Sequence, residues 1–252
     1  MEGRRSIWKR VREGRIYKSI FRHGYEDTER NRVLQIRSNV FLHLHPVKIP
    51  RHAYKIRFTW CMGGITFFVS LIEIVTGALL MFYYTPSPEQ AYKDMLYLRY
   101  DVPFGVILRN IHRWAAHLMV VTVILHMLRV FLTGSYKPPR EFNWVIGVML
   151  LVVTLLLSFT GYLLPWDQLS YWAITVATNM IGAVPFIGYE GPLSFVDKYH
   201  DIRFLILGGS EIGSSALLRF YVMHIIVLPI TCLILMAVHF WRVRKDGISR
   251  PL

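Results

Sequence analysis

The sequence predicts an all-α fold: a transmembrane four-helix bundle with an N-terminal amphipathic helix on the membrane surface. Three observations predict it. The 252-residue chain is 54% hydrophobic with a mean hydropathy of +0.36, which suits a small membrane protein better than a soluble domain with one core. Four stretches, near residues 58–84, 104–132, 144–164 and 217–241, are long and apolar enough to span a bilayer. Basic residues gather in the N-terminal segment, in the loop between the second and third stretches, and in the C-terminal tail.

Residues 1–57 hold 15 Lys/Arg against 5 Asp/Glu. Ile7, Trp8, Val11, Tyr17, Ile20 and Phe21 fall among them at roughly helical spacing, as in a helix lying on a membrane surface. Residues 58–241 form the membrane domain and 242–252 a basic tail. The first stretch carries one charge, Glu73, and residues 85–106 read as a short polar loop with Pro86 and Pro88. The connection 165–215 holds five acidic and two basic residues with apolar patches, as expected of short surface helices. Pro229 should kink the fourth stretch. The net charge of +13 follows from this topology, so no nucleic-acid partner is expected. By the positive-inside rule both termini lie on the negative side of the membrane, and the second and fourth helices run parallel. Cys61 and Cys232 offer neither a disulfide framework nor zinc-ligand spacing.

Histidines carry the chemistry. His112 and His126 are 14 positions apart on the second stretch, close to four turns, so both rings leave one face about 21 Å apart. His224 and His239 are 15 apart on the fourth, again about four turns. With parallel helices, His112 faces His224 and His126 faces His239, giving two bis-imidazole sites stacked across the bilayer. Ionisable residues inside membrane helices are costly and usually functional, and imidazole is the commonest metal ligand. A haem iron held by two histidines has no open position and moves electrons. Gly63 and Gly77 are 14 apart on the first stretch, Gly147 and Gly161 on the third. Glycine lets a flat ligand approach the backbone; packing of helices through small residues is the competing explanation. The shared spacing favours two stacked b haems. His117 is turned well off the haem face and reads as a packing residue, and Cys232 as an apolar filler.

Longer stretches of text resemble the cytochrome b6 family, the short, split-type cytochromes b of b6f and menaquinol–cytochrome c complexes. They include Cys61-Met-Gly-Gly-Ile-Thr, Met81-Phe-Tyr-Tyr, His112-Arg-Trp, Lys137-Pro-Pro-Arg-Glu, Gly161-Tyr-Leu-Leu-Pro-Trp-Asp167, Leu218-Arg-Phe-Tyr and Arg244-Lys-Asp-Gly-Ile-Ser-Arg-Pro-Leu252. The resemblance covers about Pro50 to Leu252. It implies the electron-transfer subunit of a proton-translocating quinol–cytochrome c or plastocyanin oxidoreductase that runs a Q cycle in a bacterial cytoplasmic or thylakoid membrane. It also implies partners: a Rieske iron–sulfur protein, a c-type cytochrome, a separate small membrane subunit completing the cytochrome b, and a homodimeric complex.

The resemblance assigns His112 and His224 to the positive-side haem and His126 and His239 to the negative-side haem. It places Arg109, Arg113 and Arg129 near haem propionates, for which guanidinium is suited; anchoring of helix ends to headgroups is the alternative. Arg244 matches a basic residue near the negative-side quinone. Pro165, Trp166, Asp167, Tyr171 and Trp172 match part of the quinol pocket. From chemistry alone Cys61 is an ordinary thiol; the resemblance implies a third, c-type haem held there by one thioether bond.

The chain departs from that pattern in three places. The N-terminal segment is longer, a stretch around 190–204 is extra, and Glu73 stands where Gln is expected. At lipid depth Glu73 should be neutral or paired; a hydrogen bond replacing that of Gln is favoured over proton carriage. A dihaem membrane anchor of a dehydrogenase or hydrogenase is the alternative function, and a non-redox scaffold the third.

Overall fold

The computed structural model describes residues 60–197 and 199–248, with a few positions before them (11, 13–15, 17 and 28–31). The expected surface helix falls largely outside the described residues. Among the described residues the architecture is all α, with no strand. In chain order, α1 is Met62–Met81, α2 Ala91–Tyr100, α3 Gly105–Leu132, α4 Glu141–Leu163, α5 Gln168–Gly182, α6 Ile202–Leu207 and α7 Ser214–Val222. A π turn, Met223–Val227, then leads directly into α8, Leu228–Asp246. Four segments are long and apolar enough to cross a membrane: α1, α3, α4 and the continuous run Ser214–Asp246.

Large apolar side chains such as Phe68, Val75, Trp114 and Leu132 point outward and are mostly exposed. In water such a surface would aggregate; in lipid it is the stable face. Hydroxyls inside the spans bond back to their own helix, Ser70 to the Phe67 carbonyl and Thr160 to that of Leu156. These two hydroxyl protons are thereby satisfied in hydrocarbon.

Residues 85–106 are not simply a loop, because α2 occupies their middle. Ala91, Met95 and Leu98 recur at helical spacing, and Ala91 and Leu98 are fully buried. The many polar residues around them hid this period. Buried Asp94 ties the segment down, accepting from Thr85 N and Gln90 Nε2, both at 2.7 Å. The long 165–215 connection holds α5 and α6, as short helices were expected there. Each starts on an aspartate cap: Asp167 Oδ1 accepts from Ser170 N at 2.9 Å, and Asp201 Oδ1 from Phe204 N at 3.0 Å.

Pro229 shows itself as a change of helix type. It has no N–H to give to the carbonyl four residues back, and its ring crowds that carbonyl. The turn before it widens instead, and Leu228 N–H bonds to Met223 O. The last helix also runs on to Asp246, past the range read from apolar residues. Arg242 is fully buried there, 3.0 Å from Asp246 Oδ2, with its guanidinium over the Phe142 and Trp241 rings. Arg140 of the α3–α4 loop caps this helix end, its Nε donating to Gly247 O at 3.0 Å.

The chain divides into two compact units. Among the described residues, one comprises those up to 65 together with 122–152 and 232–248; the other comprises 66–121 and 153–231. The second is centred on Leu163, Ile174, Leu207, Ala216 and Phe220, with Val69, Ala115 and Met119 as a smaller cluster.

Candidate metal centres

Each unit holds one pair of the four histidines. In the second unit the His112 and His224 rings lie 6.3 Å apart, centre to centre, with planes at 82°. In the first, His126 and His239 lie 6.4 Å apart, also at 82°. The pairing expected from spacing is the pairing seen. Two opposed metal–imidazole bonds of about 2.0–2.1 Å, with ring radii of about 1.1–1.2 Å, place ring centres roughly 6.2–6.6 Å apart. Both pairs fall within that interval.

In the second unit the ring nitrogens have distinct duties. Thr76 Oγ1 gives its proton to Ile72 O at 2.7 Å, so towards His112 Nδ1, 2.8 Å away, it acts as acceptor. Thr160 Oγ1 does the same for His224, donating to Leu156 O and lying 3.2 Å from Nδ1. With Nδ1–H held, the tautomer is set and Nε2 keeps its lone pair for a metal. In the first unit, Nδ1 of His239 is buried without a hydrogen bond of good geometry, near the backbone of Asn143.

The glycines follow the same plan, one to each histidine. A Cβ on Gly63 would stand 3.3 Å from His126 Cε1, on Gly77 3.3 Å from His112 Cε1, on Gly147 3.7 Å from His239 Cε1, and on Gly161 2.5 Å from His224 Cε1. Each of the four glycines that the sequence reading set beside a flat ligand thus also lies against one imidazole, tightly at Gly63, Gly77 and Gly161 and at ordinary contact distance at Gly147. Sequence reasoning also passed over Thr76 and Thr160. The signal was present: Thr-Gly occurs as Thr76-Gly77 and again as Thr160-Gly161, at matching places on two apolar stretches.

Other expected site residues lie beside these clusters. Arg109, half-buried, precedes His112 by one turn of α3, and exposed Arg113 has its guanidinium over the Trp114 ring at 5.5 Å. Arg129 and Arg244 are half-buried, on α3 and α8. Cys61 is exposed, two residues before Gly63, with Trp60 and Cys61 both in the left-handed region (φ 50° and 52°). His117 is exposed and meets the Trp114 ring edge-on at 5.6 Å, apart from the histidine pairs. Tyr84 donates to Leu164 O at 2.7 Å and packs on Tyr221, close in sequence to Pro165-Trp166-Asp167. Burial, with Tyr221 and Asp94 nearby, pushes the Tyr84 phenol well above its usual range.

The donor set narrows the cofactor. Among the described residues no three His, Cys, Asp or Glu side chains converge as a bare metal ion would require. Two imidazoles per site suit a metal that brings its own equatorial ligands, as haem iron does.

Comparison with known proteins agrees. The family model described as Cytochrome b/b6/petB matches residues 48–247. Cytochrome b6 of Prochlorococcus marinus (strain MIT 9515) is 43% identical over 204 residues, covering 81% of this chain and 87% of that protein. Cytochrome b6 of Tupiella akineta is 42% identical over the same length, covering 81% and 88%. Among solved structures, a chain of a hyperthermophilic respiratory Complex III superposes with a TM-score of 0.69 at 30% identity. That match covers 88% of this chain, which spans only 55% of that one. The chain belongs to the cytochrome b/b6 family, as a membrane-embedded, electron-transferring cytochrome b subunit of a quinol–cytochrome c or plastocyanin oxidoreductase.

Proposed function

We propose that the chain carries electrons across its membrane through two b haems, one ligated by His112 and His224, the other by His126 and His239. The observation that carries this is the ring geometry: two imidazole pairs at 6.3 and 6.4 Å, each perpendicular. When bound, haem supplies one-electron ferric/ferrous exchange with no open coordination position. The residues of the chain do the rest. Thr76 and Thr160 hold the Nδ1 protons and so aim Nε2 inward. Gly63, Gly77, Gly147 and Gly161 leave room for the rings. Arg109, Arg113 and Arg129 offer paired N–H groups to propionates. Apolar helix walls keep water out, so the electron moves without a passing proton.

Family membership supports the wider reading. Quinol is oxidised near Pro165-Trp166-Asp167, Tyr171 and Trp172, a Rieske protein takes one electron, and the other passes through the haems. Arg244 lies near a quinone reduced on the negative side, where both termini face. Cys61 binds a c-type haem by a thioether bond. A c-type cytochrome, a separate small membrane subunit and a second copy of the complex are the further partners. A reduced-minus-oxidised spectrum of the purified complex, with its subunit composition, tests this. Two b components together with a Rieske protein are expected; two b components with a dehydrogenase or hydrogenase subunit and no Rieske protein would indicate a membrane anchor instead.

A further inference from the structure

The surroundings of His112 and His224 differ at one position. Each ring meets a Thr-Gly pair, Thr76-Gly77 on α1 and Thr160-Gly161 on α4. One helical turn before each glycine stands Glu73 on α1 and Leu157 on α4. Glu73 Oε2 is 3.0 Å from His112 Nδ1. Among the described residues, His112 alone of the four histidines has a carboxylate within ion-pair distance. Nδ1 of His112 thus lies within reach of both Thr76 Oγ1 and the Glu73 carboxylate, whereas His224 meets Thr160 Oγ1 and the backbone of Leu157, with no carboxylate. The other carboxylate oxygen, Oε1, is buried and makes no hydrogen bond. A buried polar atom without a partner is costly. A residue placed only for packing would carry no such cost, as Leu157 demonstrates.

We infer that Glu73 is a positioning residue that lowers the reduction potential of the metal held by His112 and His224. This rests on the ligand assignment proposed above. A carboxylate accepting the Nδ1–H of a ligating imidazole fixes the ring and makes it a stronger donor. A stronger donor stabilises the ferric over the ferrous state. An amide in the same place accepts more weakly, and a leucine does not accept at all.

The test is a spectroelectrochemical titration of the whole purified complex at one fixed pH, comparing wild type, E73Q and E73L. E73Q should favour reduction about tenfold, raising one b component by about 59 mV for one electron. That component must be the one lost in His112→Ala, and the other should not move. E73L should shift the same component in the same direction, so if one variant fails to assemble the other decides. A potential equal to wild type, a downward shift, or an equal shift of both components would overturn the inference. A wild-type complex in which His112→Ala removes no b component would overturn the ligand assignment itself, and the inference with it.

Discussion

Gly161 approaches His224 more closely than any other glycine here approaches its histidine. A Cβ at Gly161 would stand 2.5 Å from Cε1, against 3.3 Å at Gly63 and Gly77 and 3.7 Å at Gly147. The His224 ring has little room to retreat, because Thr160 engages its Nδ1. Gly161→Ala should therefore remove most of the b component of that pair, and Gly147→Ala should leave its own nearly intact, with Gly63→Ala and Gly77→Ala between them. Haem content per complex and the difference spectrum read the order directly. Equal losses in all four variants would contradict it.

Loss of a ligand should follow the ring pairs. His112→Ala and His224→Ala should remove one and the same redox component, and His126→Ala and His239→Ala the other. Potentiometric titration of each variant distinguishes this from pairing along one helix, in which His112 and His126 would fall together.

Cys61 gives a test that survives denaturation. The b haems wash out in detergent, whereas a thioether bond keeps haem on the 29.5 kDa chain. Peroxidase staining of a denaturing gel should mark this chain, and Cys61→Ser should abolish the mark. An unstained wild-type chain refutes the attachment.

Arg242 and Asp246 form a buried ion pair, 0% and 1% exposed. Breaking such a pair from one side strands a charge and costs about 3–5 kcal/mol. Arg242→Leu should lower the temperature at which the complex loses its haem. Arg242→Leu with Asp246→Leu should recover part of the loss, which a thermal melt followed in the Soret band would show.

Outside the membrane, Asp201 responds to acid. Burial acts to raise its carboxyl pKa, but the Arg203 guanidinium at 2.6 Å and the Phe204 N–H outweigh this and hold it below its ordinary 3.8. A depressed carboxyl stabilises the fold fully above the ordinary value and loses that contribution as pH falls through the lower folded value. The segment around α6 should become open to protease only below about pH 4, and Asp201→Asn should open it at neutral pH. Limited proteolysis across a pH series would show either outcome.

The four spans and both histidine pairs were legible because each rests on a period: apolar length for the spans, four turns for the rings. The role of Gly161 was legible only in part, since spacing marked the residue but not the ring it faces. Glu73 was read as neutral or paired, and the structure sets it 3.0 Å from His112 Nδ1; no spacing rule joins side chains on two different helices. Helix α2 was hidden because it is only ten residues long, and its inward residues Ala91 and Leu98 share it with Lys93, Asp94 and Arg99. Arg242 read as part of a basic tail, because burial of a charge depends on an aspartate one turn later and on aromatic rings around it.

The π turn at Met223–Val227 has a consequence for length. A π turn houses one residue more than the α turn it replaces. His224 and His239 are separated by one residue more than His112 and His126, and the surplus lies within this turn. The last span thus stores its spare residue in a single loosened coil instead of rotating everything beyond it. A residue removed at mid-α8, which has no such coil to draw on, would swing His239 off its face by about 100°.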